Sequence, residues 1–218
     1  MINHETVAVV VPAYNEERQI LQVITSMPDF VDRIVVINDC STDKTGLIVA
    51  DYIKQQTPSG GALVSMGRPQ KTKYNHAEIV LHEMAKKELE YFIPSQVANE
   101  NPESDRVILI NHLSNGGVGA AIARGYKWCI DHHIDCTAVM AGDGQMDPSE
   151  LESICRPFIE DGIVYVKGNR LIHRSAWLVM PKTRYIGNAI LSILTKIASG
   201  YWHVSDTQSG YTAISLKA

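Results

Sequence analysis

Short runs rich in β-branched residues alternate along this chain with stretches of helical periodicity. That alternation is what stacked βαβ units require, and it predicts a mostly parallel sheet flanked by helices. Strands are expected at Val7–Val11, Arg33–Ile37, Val107–Asn111, Thr137–Met140 and Ile163–Val166. Their nearly unbroken apolar character fits strands covered on both faces. Between the first two, Glu16–Met27 reads as a helix, with Ile20, Val23, Ile24 and Met27 on one face. Asp43–Gln55 and Gly117–Ile130 read the same way, and Ser149–Ile159 follows Asp147-Pro148, a good helix start.

With 218 residues, the chain has the length of a single α/β domain. Residues 57–106 are too many for a simple βα connection. They read as an insertion packed on the side or edge of the domain, with a helical stretch from about Asn75 to Phe92. Tyr185–Ala198 is apolar on most of its circumference, preceded by Lys182 and Arg184 and followed by Tyr201-Trp202. Two readings fit it: a buried core helix, or an amphipathic helix lying in a membrane interface. The chain stops at Ser-Leu-Lys-Ala just after an apolar Tyr-Thr-Ala-Ile run, which reads as a truncation.

Charge narrows the partners. A net charge of -4 and a pI near 6.0 argue against nucleic-acid binding, which needs a basic face. Cys40, Cys129, Cys136 and Cys155 show no zinc-site spacing and read as reduced thiols, which suits the cytoplasm. The N-terminus lacks the pattern of a signal peptide. No apolar run reaches the roughly eighteen residues of a membrane span, so membrane contact is expected to be peripheral.

In open parallel sheets, ligands bind outside the carboxyl ends of the strands. The five strand ends here lead into Pro12-Ala-Tyr-Asn-Glu-Glu17, Asn38-Asp-Cys-Ser-Thr-Asp43, Asn115-Gly-Gly-Val-Gly119, Gly142-Asp-Gly-Gln145 and Lys167-Gly-Asn-Arg170. Together they would assemble one polar rim. Asp143, beside a buried apolar strand, is a costly place for a lone carboxylate unless it meets a cation. Mg²⁺ or Mn²⁺ suits such an oxygen ligand and commonly bridges a carboxylate to substrate phosphates. Lys167 and Arg170 would add fixed positive charge toward those phosphates. Gly116, Gly117 and Gly119 would admit a ligand close to a helix start. Asp39 is placed to accept hydrogen bonds from a base or ribose, with Tyr14 packing beside it. Ser41 and Asp43 read better as a turn and helix cap, and Glu17 as a complement to a helix dipole.

These motifs resemble the family 2 glycosyltransferases of GT-A fold, in particular the branch with dolichyl-phosphate mannose synthase and bacterial polyprenyl-phosphate sugar transferases. The resemblance rests on the segments quoted above, extended through Met146-Asp-Pro148, together with Asp206-Thr-Gln-Ser-Gly-Tyr211. It spans the chain apart from residues 57–106. It implies a nucleoside pocket lined by Pro12, Tyr14, Glu16 and Asp39, with Gly119 nearby. Asp143 would be the metal-binding carboxylate of a DxD-type motif, with Gln145 beside it at the donor diphosphate. Arg170 would approach the diphosphate or the acceptor phosphate, and Asp206 would face the acceptor. Two departures stand out. Ala141 occupies a position that is often Asp in the family, so one carboxylate does the work of two. Members of the branch also usually continue into C-terminal, often membrane-spanning helices, a region expected to be missing from this sequence.

The activity implied is an inverting, metal-dependent transfer of a sugar from a UDP- or GDP-sugar to a polyprenyl phosphate or other cell-envelope glycan precursor, at the cytoplasmic face of a membrane. Inversion follows from the absence of a second carboxylate suited to act as a covalent nucleophile near the donor site. A lipid-phosphate acceptor is already anionic and needs no strong base, whereas a hydroxyl acceptor would need one, for which Asp206 is the choice. A nicotinamide-dependent oxidoreductase is disfavoured, because Gly117-x-Gly119-x-x-Ile122 lacks the third small residue of that fingerprint and follows a middle strand. The remaining alternative is a non-catalytic sugar-nucleotide or partner-binding module, suggested by Ala141 and by the expected truncation.

Overall fold

The computed structural model describes residues 2, 4–56, 76–168, 182–200, 202 and 210–216. Strands β1 (Val7–Ala13), β2 (Arg33–Asn38), β3 (Ser95–Val97), β4 (Val107–His112), β5 (Cys136–Val139), β6 (Tyr165–Lys167) and β7 (Thr212–Ser215) form one sheet. Its order is β3-β4-β2-β1-β5-β7-β6. The four central strands run parallel, with Val10 opposite Val35 on one side and Val139 on the other. β3 pairs antiparallel with β4, and β7 runs antiparallel to both β5 and β6. The helices are α1 (Ile20–Thr25), α2 (Thr45–Gln55), α3 (His76–Glu88), α4 (Gly117–Asp131), α5 (Leu151–Asp161) and α6 (Lys182–Ser199).

The apolar runs form strands because both faces of the central sheet are covered. Val7, Val9, Val11, Ile34 and Val36 point to the side carrying Ile20, Val23, Val49, Leu151 and Ile154 from α1, α2 and α5. Ala8, Val10, Val35, Ile37, Ile108 and Ile110 point the other way, against Ala121, Trp128 and Cys129 of α4. The period-2 alternation of strand side chains thus serves two separate cores. On the α4 side the fit is close: a Cβ added at Gly125 would lie 2.3 Å from Val10 Cγ1. Only glycine lets the helix backbone approach β1 this nearly. All four cysteines are free thiols, three of them buried, and burial pushes the Cys129 thiol up to about 12.

The five expected strands are present, each shifted by no more than a residue or two. β3 and β7 are additional. β3 is short and polar and pairs along the edge of β4; just after it, Asn99 Nδ2 donates to the Val107 carbonyl and Asn99 Oδ1 accepts from Leu109 N–H, both at 2.8 Å. The end of the 57–106 stretch therefore belongs to the sheet edge, while its residues 57–75 lie outside the described residues. β7 is the terminal apolar run, buried between β5 and β6.

Helix α1 is shorter than its periodicity suggests. Residues before Ile20 spend their backbone donors elsewhere: Glu16 N–H donates to Thr45 Oγ1 at 2.8 Å and Glu17 N–H to Asp43 Oδ2 at 3.1 Å. Those bonds stitch the β1–α1 loop to the β2–α2 loop and give acceptors to amides that would have no partner within the helix. Beyond α1, Thr25 and Ser26 hydroxyls bond back to the Leu21 and Val23 carbonyls ahead of Pro28.

Candidate active site

The carboxyl ends of β1, β2, β4 and β5 open onto one cleft of about 380 Å³. Pro12, Ala13, Tyr14 and Glu16 line it from the end of β1, and Asp39 from the end of β2. The β4–α4 connection contributes Asn115, Gly117 and Val118, with Ala121 behind them; the loop after β5 contributes Ala141, Gly142 and Asp143. Tyr14 is half exposed and lines the cleft.

The floor of the cleft is built on Asp39, which is 3% exposed. Its Oδ1 accepts from Gly116 N–H at 2.9 Å and pairs with His112 Nδ1 at 2.7 Å, and its Oδ2 accepts from Gly117 N–H at 2.7 Å. Asn115 Nδ2 donates to the Asp39 carbonyl at 3.2 Å. A carboxylate buried this deeply is tolerated because donors surround it. The same bonds set the turn into α4, whose first residue, Gly117, has φ 79°, a left-handed conformation that favours glycine. A neighbouring pair, Asn38 Nδ2 and Asn111 Oδ1 at 2.8 Å, ties the ends of β2 and β4 together.

One rim is held as rigidly. Asn15 Oδ1 accepts from Thr42 N–H at 2.8 Å, and Ser41 Oγ accepts from Asn15 N–H at 3.0 Å. Glu17 Oε2 accepts from Lys44 N–H at 3.1 Å. Asp43 takes the amide and hydroxyl of Thr45 at the start of α2. Burial would raise the Asp43 carboxyl, but those bonds and the Glu17 amide outweigh it and hold it low. Ser41, Asp43 and Glu17 therefore serve loop architecture.

The other rim is acidic. Asp143 Oδ1 accepts from Gln145 N–H at 3.0 Å across the turn at Gly144. Glu16 carries a carboxyl raised by burial first, then by the negative charges of Asp143 and Asp43. Glu16 and Asp143 thus bring two carboxyl groups to the mouth of the cleft, with Asp43 adding negative charge from the neighbouring loop. Asp147 caps the short turn Pro148–Glu150 through Ser149 N–H, and Tyr211 donates its hydroxyl to the Asp147 carbonyl at 3.1 Å.

Of the residues singled out from sequence, Pro12, Tyr14, Glu16, Asp39 and Asp143 come together in the cleft. Gly119 lies on α4 just beyond its lining, and Gln145 is exposed next to Asp143 without lining it. Lys167 ends β6, two strands from β5 in the sheet order, away from the lining. Arg170 and Asp206 lie outside the described residues. The residue that sequence reasoning missed is His112. Its signal was available: a lone imidazole ending an otherwise apolar strand, at the level where β2 ends in Asn38-Asp39.

Residues 8–72 match the sequence pattern described as Glycosyl transferase family 2. The chain is 28% identical over 211 residues to a UDP-N-acetylglucosamine–dolichyl-phosphate N-acetylglucosaminyltransferase of Methanococcus voltae, covering 96% of this chain and 69% of that protein. The family resemblance seen in the motifs holds. Over residues 8–72 the chain is thus similar in sequence to the family 2 glycosyltransferases, in agreement with the motifs quoted above. An uncharacterized protein of Methanocaldococcus jannaschii is 27% identical over 218 residues, covering 100% of this chain and 68% of its own length. Among solved structures, glucosyl-3-phosphoglycerate synthase from Mycobacterium tuberculosis in complex with Mn²⁺, UDP and glucosyl-3-phosphoglycerate superposes with a TM-score of 0.56 at 21% identity. That match covers 98% of this chain and 58% of the synthase, so the chain spans a little over half of the solved relative. The same enzyme with Mg²⁺ and UDP gives a TM-score of 0.52 at 19% identity. At such identities the likeness speaks to the fold, and the fold is that of GT-A glycosyltransferases.

Proposed function

We propose that this chain is the donor-binding and catalytic part of an inverting glycosyltransferase that moves a sugar from a UDP-sugar to a polyprenyl phosphate. The observation that carries the reading is the cleft at four strand ends, with a hydrogen-bonded buried carboxylate at its floor and an acidic rim at its mouth. A nucleoside would stack on Tyr14 and reach Asp39, leaving its diphosphate at Asp143. The named activity of the Methanococcus voltae relative supports both the uridine donor and the lipid-phosphate acceptor.

The acidic rim fits a divalent cation. Burial and the negative charges of Asp143 and Asp43 raise the Glu16 carboxyl, and a cation at Asp143 would offset that negative charge. Among the described residues no cluster of three potential metal ligands gathers, so Asp143 would share the ion with the donor diphosphate. Ala141 in place of a second acid is consistent with that sharing. Bound Mg²⁺ or Mn²⁺ would offset charge on the departing diphosphate. The protein's own part is positioning: the pinned loops hold the nucleoside while the acceptor oxygen attacks in line. Among the described residues, Asp39 is occupied by three donors and Asp143 would serve the ion and diphosphate, which favours a single in-line displacement over a covalent intermediate on either. Lys167 and Arg170 would supply positive charge toward the phosphates. Gly210 and Tyr211 sit against Met146 and Asp147, which favours an acceptor role for the segment carrying Asp206.

Membrane contact belongs to the same proposal. Ile186, Ile190, Ile193, Leu194 and Ile197 of α6 recur at helical spacing and are each more than half exposed, which disfavours the buried-core reading of this helix. No helix among the described residues is long and apolar enough to cross a membrane. Such a face suits peripheral docking at the cytoplasmic surface where a polyprenyl phosphate would be met. The alternative, a non-catalytic binding module, is favoured only by Ala141. The test is incubation with labelled UDP-sugars, Mn²⁺ and polyprenyl phosphate in vesicles. Formation of a lipid-linked sugar supports transfer, and UDP binding without turnover would favour the module.

A further inference from the structure

His112 closes β4 with a side chain that is 0% exposed. Its Nδ1 lies 2.7 Å from Asp39 Oδ1. A carboxylate can only accept, so Nδ1 carries the proton and donates. Nε2, at the opposite end of the ring, is buried without a partner. A buried polar atom left unmatched is costly, and the rest of β4 is Val-Ile-Leu-Ile with an Asn. An apolar residue here would remove that cost. What the imidazole adds is control of one acceptor group.

The acceptor count of Asp39 shows what is being controlled. Oδ1 is fully used by His112 and Gly116, and Oδ2 is half used by Gly117. Each carboxylate oxygen offers about two acceptor positions. One position on Oδ2 is left for the cleft that Asp39 lines. A single remaining acceptor matches a ring with one imide N–H, as in uracil. It does not match the adjacent N1–H and N2–H₂ of guanine, which call for two acceptors. With His112 removed, Oδ1 regains a position, and the carboxylate loses one of the three bonds that fix its plane.

We propose that His112 is a positioning residue for the donor base: it holds the Asp39 carboxylate so that one Oδ2 acceptor faces a pyrimidine imide. The inference rests on the uridine-nucleotide reading of the cleft and deepens it. The imidazole touches no substrate; it acts through Asp39.

The test uses UMP and N3-methyl-UMP as probes, with calorimetry on the wild type, His112→Asn and His112→Gln. Asparagine places an amide N–H near the Nδ1 position, and glutamine places its amide near Nε2. Loss of one hydrogen bond to a charged group corresponds to roughly a 10- to 100-fold weakening. His112→Gln is expected to weaken UMP by that factor, and His112→Asn to stay within about threefold of wild type. With N3-methyl-UMP, which lacks the imide N–H, the gap between wild type and His112→Gln should vanish. In turnover, the KM for the donor should rise in His112→Gln while kcat holds, as expected for uniform binding. An equal loss for both probes would mean a general packing role and would overturn the proposal, as would unchanged UMP affinity in a folded His112→Gln. If that variant does not fold, His112→Ser serves the same comparison. Failure of the wild type itself to bind UMP or UDP would sink the uridine reading beneath it, a separate result.

Discussion

Replacing Asp39 with asparagine changes one oxygen to an amide without changing shape, and the structure sets what that must cost. If the Asn oxygen stays at Oδ1, facing His112 and Gly116, its NH₂ meets Gly117 N–H where Oδ2 now accepts at 2.7 Å. If the amide flips, the NH₂ meets Gly116 N–H and the imidazole proton. Either way at least one donor faces another, at least one charge-assisted bond is lost (two if the amide flips), and a buried backbone amide is left without an acceptor. A hydrogen bond to a charged group contributes about 1.5–3 kcal/mol, and an orphaned buried donor costs about 1–3 kcal/mol. Because the two figures overlap, the net loss is expected to be about 2–4 kcal/mol. Urea unfolding followed by tryptophan fluorescence measures it, with Trp128 a buried reporter on α4. The m-value should be unchanged, since the folded and unfolded surfaces are the same. A loss below about 0.5 kcal/mol would refute the reasoning, because it would mean the carboxylate is not the organising acceptor of the α4 turn.

Gly125→Ala should destabilise despite alanine's better helix propensity, because its Cβ would lie 2.3 Å from Val10 Cγ1 on β1. Overpacking costs about 1–3 kcal/mol against a gain of about 1 kcal/mol, and Val10→Ala in the same chain should recover part of the loss in denaturant melts. Glu16 is held protonated to higher pH in the folded chain than in the unfolded chain, so its contribution is fully present below its ordinary value of 4.5 and lost as pH rises through the raised one. Glu16→Gln should therefore match or exceed the wild-type melting temperature at pH 7, with the gap closing toward pH 4; a variant less stable at both would contradict the acidic-rim argument. Asp143→Ala should leave UMP affinity near wild type while abolishing the Mn²⁺-dependent gain in UDP affinity, read by calorimetry with and without the ion. Ile190→Asp with Leu194→Asp should reduce co-sedimentation with anionic vesicles and spare UMP binding, and unchanged sedimentation would remove α6 from the membrane reading.

The sequence by itself determined the central sheet and the position of the cleft. Runs such as Val7–Val11 and Val107–Asn111 are apolar at successive positions, which only a strand covered on both faces accommodates, and the polar segments after them must emerge at one end of a parallel sheet. Tyr14, Asp39 and Asp143 were legible for that reason, each by its place at the end of a strand, while Pro12 and Glu16 were singled out through the family resemblance. Tertiary structure decided what depends on partners far along the chain. The β1–α1 loop is tied to the start of α2 because Thr45 and Asp43 take the amides of Glu16 and Glu17, a pairing that no local periodicity encodes. β3 exists because β4 offers it an edge, with Ser95 opposite His112. Asp39 has a single open acceptor because His112, 73 residues away, and the amides of Gly116 and Gly117 fill the others. Local pattern sets which groups reach the rim; long-range hydrogen bonding sets which of their atoms remain available to a ligand.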